Sequence, residues 1–372
     1  MEVRVDGPGV EYFPGGLQVK EHLFSVPLRH PSLFPGESSD ETITIFAREC
    51  VNVRLAGSDL PWAIYLQGGP GFESPRPRSN SGWLKRLTSE YRVLLLDQRG
   101  TGRSTPVTTR SLSKLETDEA KAEYLTLFRQ DSIVMDCEII RKEMVGPSGK
   151  FLLYGQSYGG FCIMTYLTLA PEGISGAIFT GGIPPILRSP EEVYAETFQC
   201  CLNKNKMFYT KYPVNVKRVN DIVRYIQSNK VLLPNGNRLS VNMFRILGLA
   251  FYGKGGFETM HWLLEDAWTD GPEGKTLSFK FLSGVQGHYS FETNPIYAIL
   301  HEQIYVQDRA TDWAASRVMS QFADAYDRDV EDGKPFMFTG EMVFPWFFDE
   351  FGELTSLKGA AEILAKKKEW SK

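Results

Sequence analysis

The sequence predicts an α/β protein built on a doubly wound, mostly parallel sheet that carries a helical cap. Three observations lead there. Short apolar runs alternate with helix-capable stretches through the first half of the chain. Each run stops at a glycine-rich turn, and the alternation ends near Gly181-Gly182-Ile183-Pro184-Pro185. Beyond that point the pattern is helical. Strands alternating with helices imply parallel pairing, because each crossover must return over the sheet.

In chain order, 17–28 and 41–51 alternate apolar and polar residues (Ile43, Ile45, Ala47), as antiparallel strands with one exposed face do at a sheet edge. The runs 62–66 (W-A-I-Y-L), 92–96 (R-V-L-L-L), 151–154 (F-L-L-Y) and 176–179 (G-A-I-F) are continuously apolar, as strands buried on both faces are. Helix-capable stretches occupy 82–90 and 115–145, the latter with Ile133, Cys137, Ile140 and Met144 at helical spacing. From 189 to about 348 only helices are expected, clearest at 191–203, 214–227, 241–252 and 311–325. A last amphipathic helix is expected over 354–370. The domain reading is a sheet core at 1–182, a helical cap at 183–350, and a C-terminal helix at 351–372.

Composition narrows the function. A formal charge of −4 leaves no basic footprint for nucleic acid or an anionic membrane. Five cysteines without ligand spacing argue against a disulfide scaffold and predict no metal site. No leader or membrane-spanning run is expected, which makes the cytoplasm the default compartment. The turn D-Q-R-G-T-G-R-S (97–104) is not a phosphate loop, since no G-K-[ST] follows, and no cofactor is expected.

The stretch 151–160, F-L-L-Y-G-Q-S-Y-G-G, has the form of a nucleophile elbow: buried strand, tight turn, helix. It makes Ser157 the candidate nucleophile, with the Tyr158 N–H at the start of the helix facing an oxyanion. After the run 62–66, Gly68-Gly69-Pro70-Gly71 lets backbone approach a reacting carbonyl, so Gly68 and Gly69 are the candidates for the other oxyanion donor. Asp97 and Arg99 are expected to pair and brace the turn after 92–96.

Q-G-G-P-G, D-Q-R-G-T-G-R-S and G-Q-S-Y-G-G, in this order and spacing, resemble the proline iminopeptidase family of α/β-hydrolases. Asp131-Ser132-Ile133-Val134 with Asp136-Cys137-Glu138 and Arg141 is similar to that family's helix before the elbow. His301-Glu302-Gln303-Ile304-Tyr305 and Phe338-Thr339-Gly340-Glu341-Met342 with Pro345-Trp346 resemble its larger members, while Gln67 stands where many relatives carry histidine. The resemblance implies a serine aminopeptidase that releases an N-terminal residue, preferably proline, from short peptides with a free N-terminus. Glu302 and Glu341 are the carboxylates it implies for the substrate amine.

The family's triad continues with an Asp and a His after the cap, on two further strands. Neither is found here: His22 and His30 precede the elbow, and His261, His288 and His301 fall in the expected cap. The resemblance therefore implies a chain truncated at its C-terminus, without the last two sheet strands. Without a histidine in reach, Ser157 would keep an ordinary, weakly nucleophilic hydroxyl. Two alternatives stay open beside the aminopeptidase: a non-catalytic form that binds a peptide or a partner, and a general esterase of the same fold. The sequence does not give the oligomeric state.

Overall fold

The computed structural model describes residues 9–37, 40–272, 274–288, 290–327, 330–331 and 333–370. They form two compact units. The first runs through Ile186 and also takes in Asn294–Arg309 and the segment from Lys367; the second holds Leu187–Thr293 and Ala310–Lys366. Residues 294–309, read from the sequence as part of the cap, thus fold with the sheet.

The first unit is built on a seven-stranded sheet: β1 (Val10–Phe13), β2 (Leu17–Pro27), β3 (Thr42–Asn52), β4 (Trp62–Leu66), β5 (Arg92–Leu96), β6 (Phe151–Gln156) and β7 (Ile174–Thr180). Their spatial order is β1-β2-β3-β5-β4-β6-β7. The first three strands pair antiparallel, and β3 joins β5 antiparallel. The strands β5, β4, β6 and β7 are parallel. Alternation along β4 and β5 sends Ala63, Tyr65, Val93 and Leu95 to one face, where they pack with Leu84 and Leu87 of helix Gly82–Leu87. Each such fully buried side chain contributes about 1.5–3 kcal/mol. Helix Tyr158–Leu169 packs on β4, β6 and β7 and against helix Gln130–Val145.

The core is also polar in one place. Arg99, 1% exposed, lies where helix Gln130–Val145 meets the end of β2. Its guanidinium donates to Asp136 Oδ2 at 2.7 Å and Oδ1 at 2.6 Å, and to the carbonyls of Pro27 (3.2 Å), Leu28 (3.0 Å) and Leu127 (2.7 Å). His30 Nε2 lies 2.8 Å from both Arg99 Nη2 and Asp136 Oδ1. Meeting these donors offsets much of the desolvation cost of burying the cation.

The second unit is mainly helical. Ser189 caps Pro190–Lys211 with a reciprocal capping box to Glu192, and Val214–Ser228 follows. The helix expected over 241–252 splits into Val241–Arg245 and a 3₁₀ stretch, Ile246–Tyr252, where Gly248 packs against the 338–339 backbone. One expectation fails here: Trp268–Gly271 and Gly274–Leu277 form a two-stranded hairpin, β8 and β9, in a region read as strand-free. Four-residue strands are too short to show a period. The helix expected over 311–325 covers only Ala314–Met319, with short 3₁₀ and α turns after it, and the last helix is Lys358–Lys366. Among the described residues no helix is long and apolar enough to cross a membrane.

Asp136→Ala strands the Arg99 charge in the core and is expected to lower the unfolding free energy by about 3–5 kcal/mol. Arg86→Ala, which cuts the exposed Arg86–Glu90 pair, should cost about 0.5 kcal/mol or less. Urea unfolding of the two variants beside the unaltered protein checks the contrast.

Candidate active site

The strand order makes the site. β5 lies on one side of β4 and β6 on the other, so the loops leaving the carboxyl ends of β4 and β6 diverge and open a crevice between them. The sequence places Gly68-Gly69 on one lip and Ser157 on the other.

Ser157 occupies the turn between β6 and helix Tyr158–Leu169 with φ 51° and ψ −118°, a region a side chain enters at a cost of about 1–3 kcal/mol. The surrounding backbone enforces that conformation. Ser157 N donates to Thr180 O at 3.1 Å, and Gly160 N donates to Ser157 O at 2.8 Å. The glycines of the motif are there for close approach. A Cβ on Gly159 would stand 2.0 Å from Leu66 O, at the end of β4, and one on Gly155 would stand 2.6 Å from Gly159 O. The turn can therefore press the helix N-terminus against β4. Ser157 is half-buried in this position.

Tyr158 is the first residue of its twelve-residue helix, and Ser157 makes no side-chain cap to it. Its N–H thus sits among the unsatisfied donors at the positive end of the helix. The Tyr158 ring points into the core, 2% exposed, where its hydroxyl donates to Gln130 Oε1 at 3.2 Å. Burial pushes that hydroxyl well above the ordinary tyrosine range, so it stays protonated and a donor. Across the crevice, a Cβ on Gly68 would meet Ser157 Cβ at 3.0 Å. Gly68 backbone therefore lies against the serine. Gly69 (φ 134°) turns the chain onward, and a Cβ there would meet Gly71 N at 2.9 Å and the Phe72 ring at 3.0 Å. Two glutamines steady this loop: Gln98 Nε2 donates to Gln67 O at 3.1 Å, and Gln67 Oε1 accepts from Tyr65 OH at 2.7 Å.

Asp97 and Arg99 do not pair with each other. Asp97, fully buried, accepts from Arg76 Nη1 (2.8 Å) and Nη2 (3.0 Å) and from the backbone N–H groups of Ser74 and Arg103, both at 3.1 Å. Arg99 has its own carboxylate in Asp136 and three carbonyls besides. One carboxylate could not have met all the donors of a buried guanidinium, and the turn at Gly100–Gly102 sends the two side chains to different neighbours. The glycine turn holds the Asp97 anion, and Arg99 joins β2 to helix Gln130–Val145.

The segment 294–306 lies over the same end of the sheet. A Cβ on Gly71 would meet Tyr297 N at 2.8 Å, and one on Gly100 would meet Ile296 Cδ1 at 2.7 Å. The Phe72 and Tyr297 rings are 5.5 Å apart, and the Tyr305 ring stands 5.7 Å from Phe161 of the elbow helix. This segment carries Glu302, 2% exposed, at the head of a 3₁₀ turn, Glu302–Tyr305. Glu302 thus shares a unit with Ser157, whereas Glu341 lies in the second unit, next to Gly340 where it packs on Cys201 and Tyr252. Arg129, which the sequence reading passed over, reaches under the 302–305 turn: its Nη2 donates to Gln303 O at 3.0 Å and Val306 O at 2.8 Å. Burial lowers the Arg129 pKa and raises that of Asp131 beside it.

Each histidine has partners of its own among the described residues. His22 pairs with Glu49 at 2.9 Å, and His30 with Asp136 and Arg99. His261 stacks on Tyr212, with ring centres 4.1 Å apart, and His288 Nδ1 lies 2.7 Å from Gly284 O. His301 is buried between Tyr297 and Tyr305, at 4.9 and 6.3 Å. None of these contacts is to Ser157.

Comparison with known proteins agrees with this architecture. A family model described as the alpha/beta hydrolase fold matches residues 61–240. A proline iminopeptidase of Aeromonas sobria is 45% identical over 97% of this chain and 82% of its own length. The proline iminopeptidase aneH of Aspergillus aculeatus is 33% identical over 96% of this chain and 79% of its own. A proline iminopeptidase of Neisseria gonorrhoeae is 34% identical over 119 residues, 32% of this chain. With the elbow, the crevice and these relatives in hand, the chain belongs to the proline iminopeptidase family of serine peptidases with the α/β-hydrolase fold.

Proposed function

We propose that the chain removes a single residue, preferentially proline, from the free N-terminus of short peptides, with Ser157 as nucleophile. The observation that carries this is the placement of Ser157 between the Gly68 backbone and the first N–H groups of helix Tyr158–Leu169. Ser157 Oγ attacks the carbonyl of the N-terminal residue. The oxyanion is held by the Tyr158 N–H and by an N–H of Gly68 or Gly69. The C–N bond then breaks, the shortened peptide leaves with a proton on its amine, and water hydrolyses the acyl-serine ester. Glu302 takes the ammonium group of the substrate, an ion pair strengthened by burial.

A second reading is binding without turnover. It is favoured by the histidine contacts described above, none of which is to Ser157. Incubation with proline β-naphthylamide separates the two. Release of naphthylamine that is lost in Ser157→Ala supports the peptidase. Saturable binding of prolinamide with no release supports the binding protein.

For the peptidase, Ser157→Ala is expected to cut turnover to the level left by the oxyanion hole and binding, about 10³–10⁴-fold over water. Steady-state release from proline β-naphthylamide measures it. Glu302→Gln should raise KM by about tenfold to a hundredfold, with a smaller change in kcat. N-acetylproline β-naphthylamide, which has no ammonium group, should be a poor substrate of both forms. A full kinetic series on the two compounds checks this.

A further inference from the structure

We infer that Arg129 is a positioning residue: together with Gln130 it fixes the Glu302 turn relative to the oxyanion donor, with Trp370 packed over its guanidinium. This inference rests on the reading of Glu302 as the amine acceptor. Three observations support it. First, Arg129 Nη2 bonds Gln303 O (3.0 Å) and Val306 O (2.8 Å), the carbonyls that follow Glu302 in its turn. Second, the neighbouring Gln130 accepts the hydroxyl of Tyr158, the first residue of the elbow helix and the proposed oxyanion donor. One dipeptide at the start of helix Gln130–Val145 thus bonds both the turn that carries Glu302 and the residue that opens the elbow helix. Third, the Trp370 ring covers the guanidinium at 4.4 Å, and Trp370 N donates to Gln307 O at 3.1 Å, so the segment from Lys367 closes over the same turn.

A stability role alone does not account for Arg129. It is 3% exposed, and its Nε and Nη1 atoms have no hydrogen-bond partner among the described residues, nor has Asp131 Oδ2. An apolar side chain of the same volume would avoid that desolvation. Of the five donors of this guanidinium, those that are bonded go to the Glu302 turn, and that is the feature an apolar residue could not supply.

The test is calorimetric binding of prolinamide to the full chain carrying Ser157→Ala, which removes turnover from the readout. N-acetylprolinamide serves as the amine-free control. Arg129→Met is expected to weaken prolinamide about tenfold to a hundredfold. Trp370→Phe, which keeps a ring over the cation, should bind as the parent does, while Trp370→Leu should weaken binding. If Arg129→Met does not fold by circular dichroism, Arg129→Lys and the Trp370 pair carry the decision. A parent that fails to bind prolinamide, or binds the acetylated form equally well, overturns the Glu302 reading on which this depends. A parent that binds, with Glu302→Gln weakened but the folded Arg129 and Trp370 variants unchanged, overturns the positioning role alone.

Discussion

The approach of the elbow helix to β4 is the constraint on which the rest of the first unit depends. With Leu66 O only 2.0 Å from where a Gly159 Cβ would stand, no other residue fits between the serine turn and the strand. That contact brings the helix N-terminus to the crevice at the strand-order switch, and it puts Ser157 opposite Gly68 without any contribution from side-chain packing at the site itself. The geometry of the candidate site is a property of backbone proximity, which explains why glycine rather than charge dominates the motif.

Around this contact, buried arginines do the work of fastening loops. Arg99 ties β2 and the 127 carbonyl to helix Gln130–Val145, and Arg141 on the same helix reaches the carbonyls of Pro147 and Gly149 just before β6. Arg141 also pairs with Glu138, which accepts from Tyr166 of the elbow helix at 2.6 Å. A guanidinium suits these positions because it offers five donors in one plane, enough to serve a carboxylate and several main-chain carbonyls together.

Much of this was legible in the sequence, for physical reasons that differ from case to case. The strands β4, β5 and β6 show as unbroken apolar runs because both of their faces are covered, and the elbow shows because its glycines sit at a fixed spacing around Ser157. The partners of Asp97 and Arg99 were not legible. Adjacency in sequence suggested a pair, but a guanidinium has more donors than one carboxylate can take, and the groups that partner the two residues (Arg76, Asp136, the carbonyls of Pro27 and Leu28) are remote in sequence. The place of residues 294–309 was hidden for a similar reason. Helical stretches on both sides read as one continuous cap, while the contacts of Tyr297 with Gly71 and Phe72 that draw the segment to the sheet leave no local pattern.

That segment changes how the site is understood. Glu341, the other carboxylate the resemblance implies, belongs to the second unit. Glu302 instead stands on a turn seated against the loops after β4 and β5, joined to the elbow helix through Tyr305 and Phe161. Its distance from Gly68, Gly69 and Tyr158, the proposed oxyanion donors, is then set within one packed unit. A peptidase that counts one residue from a free amine needs that distance to be constant, because an error of one ångström would be felt in the reacting geometry. The Tyr305–Phe161 ring contact and the Arg129 bonds constrain the same short turn, so that on the reading of Glu302 as the amine acceptor this double constraint would make its site a fixed part of the hydrolase core.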